Sequence, residues 1–369
     1  MPAALPSLPV TTQENGRIVL RRDSKTYGLP KIMSRRKSIA GFLCVVAEMY
    51  IFVCMKRIIL SAICVLLGLS VSAQDVKVSV AKYREGKACA TSFTFDDGNK
   101  DNFTIAAPEL EKRGWRGTFW LNCSRIPGEV RGSKIKMTWD DVSTLHQRGH
   151  EMSNHGWDHK KLTKIPYEDA VEEIEKNDSA IFAHTGMRPT TFCYAYNAKN
   201  PEIVALASKD RVGTRTRQYA FGEQSSDQLL RQRMDKAIAK QDWAVWMTHG
   251  ITRGYDYFKD PSRYTSFLDY VKEREDKIWV GTFREVAAYI AERDAVILKQ
   301  RVKGRRISVA PSLDLDPELY NMPLTMKVEG ASEVKAKQNG KTLAVVYRDG
   351  SAFFDFDPYG GAVKLEVVR

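Results

Sequence analysis

The run Ala90-Thr91-Ser92-Phe93-Thr94-Phe95 stops abruptly at Asp96-Asp97-Gly98, and the residues that follow, up to Gly114, place Ile105 and Leu110 on one face of a helix. A β-rich apolar run broken by acids and glycine reads as a buried strand that delivers its last residues into a loop. The same alternation then repeats. Residues 117–121 form a second strand. Thr138 opens a helix with acids in its first turn, and Gly149 closes it. Residues 150–153 make a short strand, and a helix over 166–184 has proline at its start and Gly186 beyond its end. Further strands are predicted at 190–194, 211–214, 243–248 and 277–280, with helices at 228–240, 262–274 and 283–293.

Strand–helix alternation implies a parallel sheet with helices outside, and six to eight strands suit a distorted (β/α) barrel. The polar clusters all fall just after strands, and in a barrel those positions converge on one face. Beyond residue 298 the texture changes. Short alternating strands are expected at 307–310, 325–328, 343–347, 352–356 and 363–368, with turns such as Gln338-Asn339-Gly340 and no helix. The fold class is therefore α/β over residues 74–298, followed by a small all-β, β-sandwich-like domain over 299–369. The all-β part is expected to extend substrate binding.

The amino-terminal segment reads differently. Met55-Lys56-Arg57, an apolar stretch over 58–70 and Val71-Ser72-Ala73 make a signal peptide at 55–73, cut after Ala73. The apolar stretch falls short of the about 20 residues a spanning helix needs, so a secreted or periplasmic protein without stable membrane insertion is expected. Residues 1–54 are expected to be either a non-native segment, with translation starting at Met55, or an extended leader. Residues 1–73 hold ten Lys or Arg against three Asp or Glu, a surplus of seven within the net +12. The rest of the chain carries a surplus of five and no basic run that reads as a nucleic-acid arm. Three of the six cysteines lie in the leader; Cys89, Cys123 and Cys193 form no disulfide framework and read as free, buried thiols.

The chemistry-bearing residues follow the strands. Adjacent carboxylates at a strand end point in different directions, so one of Asp96 and Asp97 can bind a metal while the other faces a water; an ordinary strand-to-loop turn is the competing reading. His155 and His159 stand at i and i+4, which on a helical turn lie on one face and can share one metal. Asp97, His155 and His159 make a two-histidine, one-carboxylate set that suits a divalent ion, zinc first, with cobalt, nickel or manganese as alternatives. His249 ends the strand that contains Trp246-Met247-Thr248 and can serve as a general acid.

Together, Thr94-Phe95-Asp96-Asp97-Gly98, the run Gly149-His150-Glu151-Met152-Ser153-Asn154-His155-Gly156-Trp157-Asp158-His159 and Met247-Thr248-His249 resemble the polysaccharide deacetylases of carbohydrate esterase family 4, over roughly residues 90–290. The resemblance implies that Asp96 is the base toward the attacking water. It implies that Asp97, His155 and His159 hold the metal, that His249 protonates the leaving amine, and that the backbone N–H of Tyr196 is the oxyanion donor. The family arginine that orients the base is absent: its position is Cys193. Arg215, after a predicted strand, is the candidate replacement, against the reading of an ordinary surface arginine. The family carboxylate that tunes the last histidine has no counterpart, since Asp242 sits at the wrong end of its strand.

Trp120, Trp139, Trp157 and Tyr255 are candidates to stack on sugar rings, with Trp157, Trp139 and Tyr255 taken as substrate-binding. Arg125, Arg131 and Lys134 make a basic loop. The function implied is a secreted, metal-dependent hydrolase that removes acetyl groups from N-acetylated sugars of a polysaccharide or oligosaccharide. An O-acetyl (xylan-type) esterase and an inactive carbohydrate-binding protein are the alternatives. A paired-carboxylate glycosidase is disfavoured, because adjacent residues do not flank a bond at the roughly 5–9 Å such enzymes use.

Overall fold

The computed structural model describes residues 75–126 and 135–368; the expected leader, the expected signal peptide at 55–73, Arg131 and Lys134 lie outside the described residues. In chain order the strands and helices are β1 (Lys77–Val80), β2 (Cys89–Asp96), α1 (Ala107–Glu111), β3 (Thr118–Leu121), α2 (Trp139–Gln147), β4 (Glu151–Asn154) and α3 (Tyr167–Thr185). Then come β5 (Thr191–Cys193), α4 (Pro201–Ser208), β6 (Gly213–Arg215), β7 (Tyr219–Ala220), α5 (Asp227–Lys240), β8 (Trp243–Thr248), α6 (Ser262–Lys272), β9 (Ile278–Val280) and α7 (Phe283–Ala295). The last part is all strand: β10 (Ile297–Lys303), β11 (Arg306–Ser312), β12 (Leu324–Glu329), β13 (Glu333–Gln338), β14 (Lys341–Leu343), β15 (Val346–Arg348), β16 (Ser351–Phe356) and β17 (Val363–Val368).

Every residue of β2 is buried, as a central strand with helices on one face and a packed interior on the other requires. Its neighbours are all parallel. β8 runs along one side; β9 flanks the start of the other side and β3 its end. The sheet continues β3–β4–β5–β6 in one direction and β8–β7 in the other. No ladder joins β6 to β7 among the described residues, so the barrel is a curled, open one. The curl is nonetheless tight. Only three residues connect β6 to β7 at the opposite edge, so the two edges lie within about 15 Å of each other.

The helices begin where the sequence signals them. Thr138 and Asp141 form a reciprocal capping box at the start of α2, and Thr282 and Glu285 do the same for α7. α3 ends at Gly186 in the left-handed conformation (φ 73°). Five elements carried no legible signal: β1, β7, α4, β10 and β13. β10 is almost entirely exposed, and β13 alternates charged residues with Val and Ala, so neither shows an apolar run. The single strand expected at 343–347 is two, β14 and β15, which belong to different sheets.

The C-terminal strands form a sandwich of two antiparallel sheets, β1–β12–β16–β15 and β10–β11–β17–β13–β14. Met326, Val328 and Phe354 from one sheet and Val334, Leu365 and Val367 from the other are buried in a shared core. β1 comes from the amino-terminal side of the α/β segment, yet it covers the edge of β12 over Lys77–Val80. The outer side of the four-stranded sheet is tied to α7. Tyr289 Oη donates to the Ala81 carbonyl at 2.8 Å, and the Met322 N–H donates to Glu292 Oε1 at 2.9 Å.

Glu292 is buried in this seam, and its Oε2 has no hydrogen-bond partner among the described residues. Burial raises its pKa to about 7. The unfolded chain releases this proton near the ordinary carboxylate value, so between about pH 4.5 and 7 the folded state holds the extra proton and stability falls as pH rises. Urea unfolding at pH 5 and pH 8 is expected to show this loss, and Glu292→Gln should remove on the order of 1–2 kcal/mol of it.

Candidate active site

β2 delivers Asp96 into the interior of the curled sheet and Asp97 to its mouth. The reversal between them is made by the backbone: Asp97 has φ 71° and Gly98 φ 62°. Asp96 is 3% exposed. Its carboxylate is held by Arg215 in a two-pronged pair, Nη1 to Oδ1 at 2.9 Å and Nη2 to Oδ2. Across a flat sheet, β6 would stand about 19 Å from β2. Only the curl lets an arginine on β6 reach an aspartate on β2.

Arg215 is itself 2% exposed and lies over the ring of Trp120, 4.2 Å from its centroid. Arg215 is therefore no surface arginine, and Trp120, fully buried beneath it, is no sugar platform. Cys193 and Arg215 are register partners on the adjacent strands β5 and β6. The small thiol at Cys193 leaves room for the guanidinium, and Arg215 Nη2 lies 2.7 Å from Sγ. Burial pushes the Cys193 thiol well above its ordinary range, which keeps it neutral. Burial alone would raise the pKa of Asp96 as well. The charge of Arg215, then that of His155, overrides this and brings it down to about 2.

The metal candidates meet at the mouth. His155 Nε2 is 3.6 Å and His159 Nε2 3.4 Å from Asp97 Oδ1. Asp97 Oδ1 is buried and has no hydrogen-bond partner among the described residues. Two donor atoms at about 2.1 Å from one tetrahedral ion stand about 3.4 Å apart, so the set fits a divalent cation. His155 Nδ1 is 2.8 Å from the Cys193 carbonyl and donates to it, which leaves Nε2 with its lone pair toward the site. Burial lowers the pKa of His155, and burial together with the neighbouring His155 lowers that of His159 to about 4. Neutral imidazoles are the ligating form.

The two histidines do not share a helical turn. Residues 155–159 are a loop in which Gly156 (φ 80°) and His159 (φ 56°) take left-handed conformations. A dry polar network fixes that loop. Asn122 Nδ2 donates to the carbonyls of His155 and Gly156, and Asp158 N–H donates to Glu173 Oε2. Asn177 and Asn154 bond to each other and to backbone on β3 and α3. These four supporting residues, Asn122, Asn154, Glu173 and Asn177, were not singled out in the sequence. For Glu173 and Asn177 the available signal was a pair of polar residues on the inward face of a long helix; Asn122 and Asn154 stand at the ends of β3 and β4 and carried none.

His249 follows β8. Asn99 Nδ2 donates to its carbonyl, and Asp101 Oδ2 accepts from the N–H groups of Ile251 and Thr252, so the loop after β2 holds the loop after β8. His249 Nδ1 is buried and has no hydrogen-bond partner among the described residues. Asp242 pairs instead with Arg217 at the far end of β8.

Asp96, Asp97, His155, His159, Tyr196, Arg215, His249 and Tyr255 line one cavity of about 400 Å³. Tyr196 and Tyr255 flank its mouth with exposed rings, one 4.5 Å from His159 and the other 5.3 Å from His249. Four residues lining it, Asp97, His159, Tyr196 and Asn197, have positive φ without being glycine. Each costs of order 1–3 kcal/mol, so strain is concentrated here. Two aromatic candidates lie elsewhere. Trp139 stacks on His184 between α2 and α3, and the Trp157 ring packs under Lys176 beside α3. Neither lines the cavity, because α2 for Trp139 and the loop after β4 for Trp157 pack these rings against α3.

Residues 84–213 match the family model described as polysaccharide deacetylase. A peptidoglycan-N-acetylglucosamine deacetylase, PgdA of Listeria monocytogenes, is 32% identical over 131 residues, 35% of this chain and 26% of that protein. A gellan lyase of a Bacillus species is 24% identical over 328 residues, 76% of this chain and 13% of that protein. The chain thus spans about a quarter or less of the length of these relatives. Among solved structures, the peptidoglycan deacetylase PdaC of Bacillus subtilis is 19% identical, covering 56% of this chain and 94% of that one, with a TM-score of 0.41.

Titration of metal-stripped protein with zinc, followed calorimetrically, is expected to give one tight site. His155→Ala should abolish it, and His249→Ala should leave its stoichiometry unchanged.

Proposed function

We propose, from the match of residues 84–213 to the polysaccharide deacetylase family model, that this protein is a metal-dependent hydrolase of the carbohydrate esterase family 4 kind, releasing acetate from N-acetylated sugars of a polysaccharide. The observation that carries the reading is the meeting of an Arg-held carboxylate, an Asp-His-His set and a histidine in one cavity. A binding protein needs no paired base and acid, so the presence of both disfavours the inactive alternative.

Asp97, His155 and His159 would hold the ion, which supplies Lewis acidity toward the acetyl carbonyl and acidifies water there. Asp96 stays ionised at working pH, because Arg215 holds it so, and accepts the proton of the attacking water. Arg215 fixes both carboxylate oxygens, which aims the accepting lone pair. The N–H of Tyr196, presented by a left-handed turn, stabilises the developing oxyanion. His249 donates a proton to the leaving nitrogen, and the rings of Tyr196 and Tyr255 bracket the sugar.

O-acetyl ester hydrolysis is a second reading. His249 Nδ1 lacks a carboxylate partner, and an ester's leaving group needs less help from an acid than an amine does. The segment at 55–73 supports secretion of the protein, which would bring it to an extracellular or periplasmic glycan.

Acetate release from chito-oligosaccharides and from acetylated xylan, with metal stripped and restored, tests both readings. Metal-dependent release that falls about 10²–10⁴-fold in Asp96→Ala is expected, with the amide as the preferred substrate. Release that is unaffected by metal removal contradicts the proposal.

A further inference from the structure

We propose that the outer face of the five-stranded sheet is a docking surface for an anionic polysaccharide, one bearing carboxylates or phosphates. The choice of a glycan as partner rests on the deacetylase reading; the charge of the surface does not.

The sequence shows no long basic run, but antiparallel pairing assembles a basic face. Ile307, Val309, Val334, Ala336, Val363 and Leu365 point inward and are buried. Side chains alternate along a strand, so their neighbours point outward. Register then sets these neighbours side by side. One row crosses the whole sheet: Arg301 beside Ser308, then Lys364, Lys337 and Thr342. It contains no acid. The next row runs Lys303, Arg306, Glu366, Lys335, and Lys299 continues the face on β10. All seven cations are exposed.

Only Lys335 has a carboxylate within 4.0 Å among the described residues, that of Glu333. Lys364 and Lys337 stand directly opposite each other, an arrangement that destabilises a sheet. Seven cations against Glu333 and Glu366 leave a surplus of five, the same as that of the whole chain after residue 73. One face therefore holds a concentrated positive field, about 19 Å across.

The chemistry of the face selects the partner. It presents no aromatic ring to stack on a base or on a neutral sugar. Ile297, at one end, is the large exposed apolar group on β10 that points with the cations, and one such group gives a lipid surface little to take up. An extended polyanion is bound by charge alone. The sandwich and the cavity belong to one compact unit, residues 73–369, so a glycan held on this face raises the local concentration of chain near the cavity.

The test uses the full chain and the variant Arg301→Glu/Lys337→Glu/Lys364→Glu. Residues 1–73 are common to both, so their charge cancels in the comparison. Binding to polygalacturonate, dextran, a DNA duplex and phosphatidylglycerol vesicles is measured at about 50 and 300 mM salt. The wild type is expected to bind polygalacturonate at least about tenfold more tightly than dextran, and more weakly at high salt. The variant should lose about tenfold or more while releasing acetate from neutral chito-oligosaccharides as the wild type does. If the variant unfolds, the neutralising Arg301→Gln/Lys337→Gln/Lys364→Gln replaces it with the same expectation. Equal binding by wild type and variant, absence of polygalacturonate binding, or tighter binding to DNA or vesicles overturns the proposal. Absence of acetate release by the wild type, with polygalacturonate binding as expected, would sink the deacetylase reading and leave the docking surface standing.

Discussion

The buried ion pair between Asp96 and Arg215 is the constraint on which the rest of the site depends. Neither charge is exposed, so neither is tolerable without the other. To satisfy the pair, the sheet must curl until its sixth strand faces its second. That curl also brings the ends of β2, β4, β5 and β8 around one cavity. Trp120 and Cys193 shape the space: the indole supports the flat guanidinium, and the thiol yields the volume it occupies. The arginine thus sits one strand away from the position the sequence resemblance indicates, at the same level in the register.

Around this pair the structure spends conformational energy. Asp97, His159, Tyr196 and Asn197 hold left-handed backbones, and the surrounding hydrogen bonds over-determine them. The network through Asn122, Asn154 and Asn177 is almost free of water-facing atoms, so its bonds are worth more than they would be at the surface. It does for the loop of the candidate metal ligands His155 and His159 what Asn99 and Asp101 do for the loop that carries His249.

The parallel sheet was legible because β2, β3 and β8 are continuous apolar runs closed by polar turns. The Asp96-Asp97 and His249 clusters of the candidate site were legible because each ends such a run, whereas His155 and His159 follow the short, polar β4. Arg215 could be nominated from its place after a strand, but its partner could not, since the contact spans 119 residues and exists only in the curled sheet. The reading of His155 and His159 as a helical pair failed for a local reason. A spacing of four residues fits one helical turn, yet Gly156 permits a left-handed loop that converges just as well. Trp139 and Trp157 illustrate a different limit. Residue type suggested sugar stacking, whereas orientation, set by the packing of α2 and α3, takes both rings out of the cavity. β10 and β13 escaped notice because exposed, charged strands lack the apolar signature on which strand recognition rests.

A double-mutant cycle between Asp96 and Arg215, read by urea unfolding, tests the central claim most directly. Arg215→Met alone strands a buried carboxylate and is expected to cost about 3–5 kcal/mol. Adding Asp96→Asn should recover much of that loss, giving a coupling energy of at least about 2 kcal/mol. Single-variant effects that simply add, within about 0.5 kcal/mol, would contradict the view that this pair organises the site.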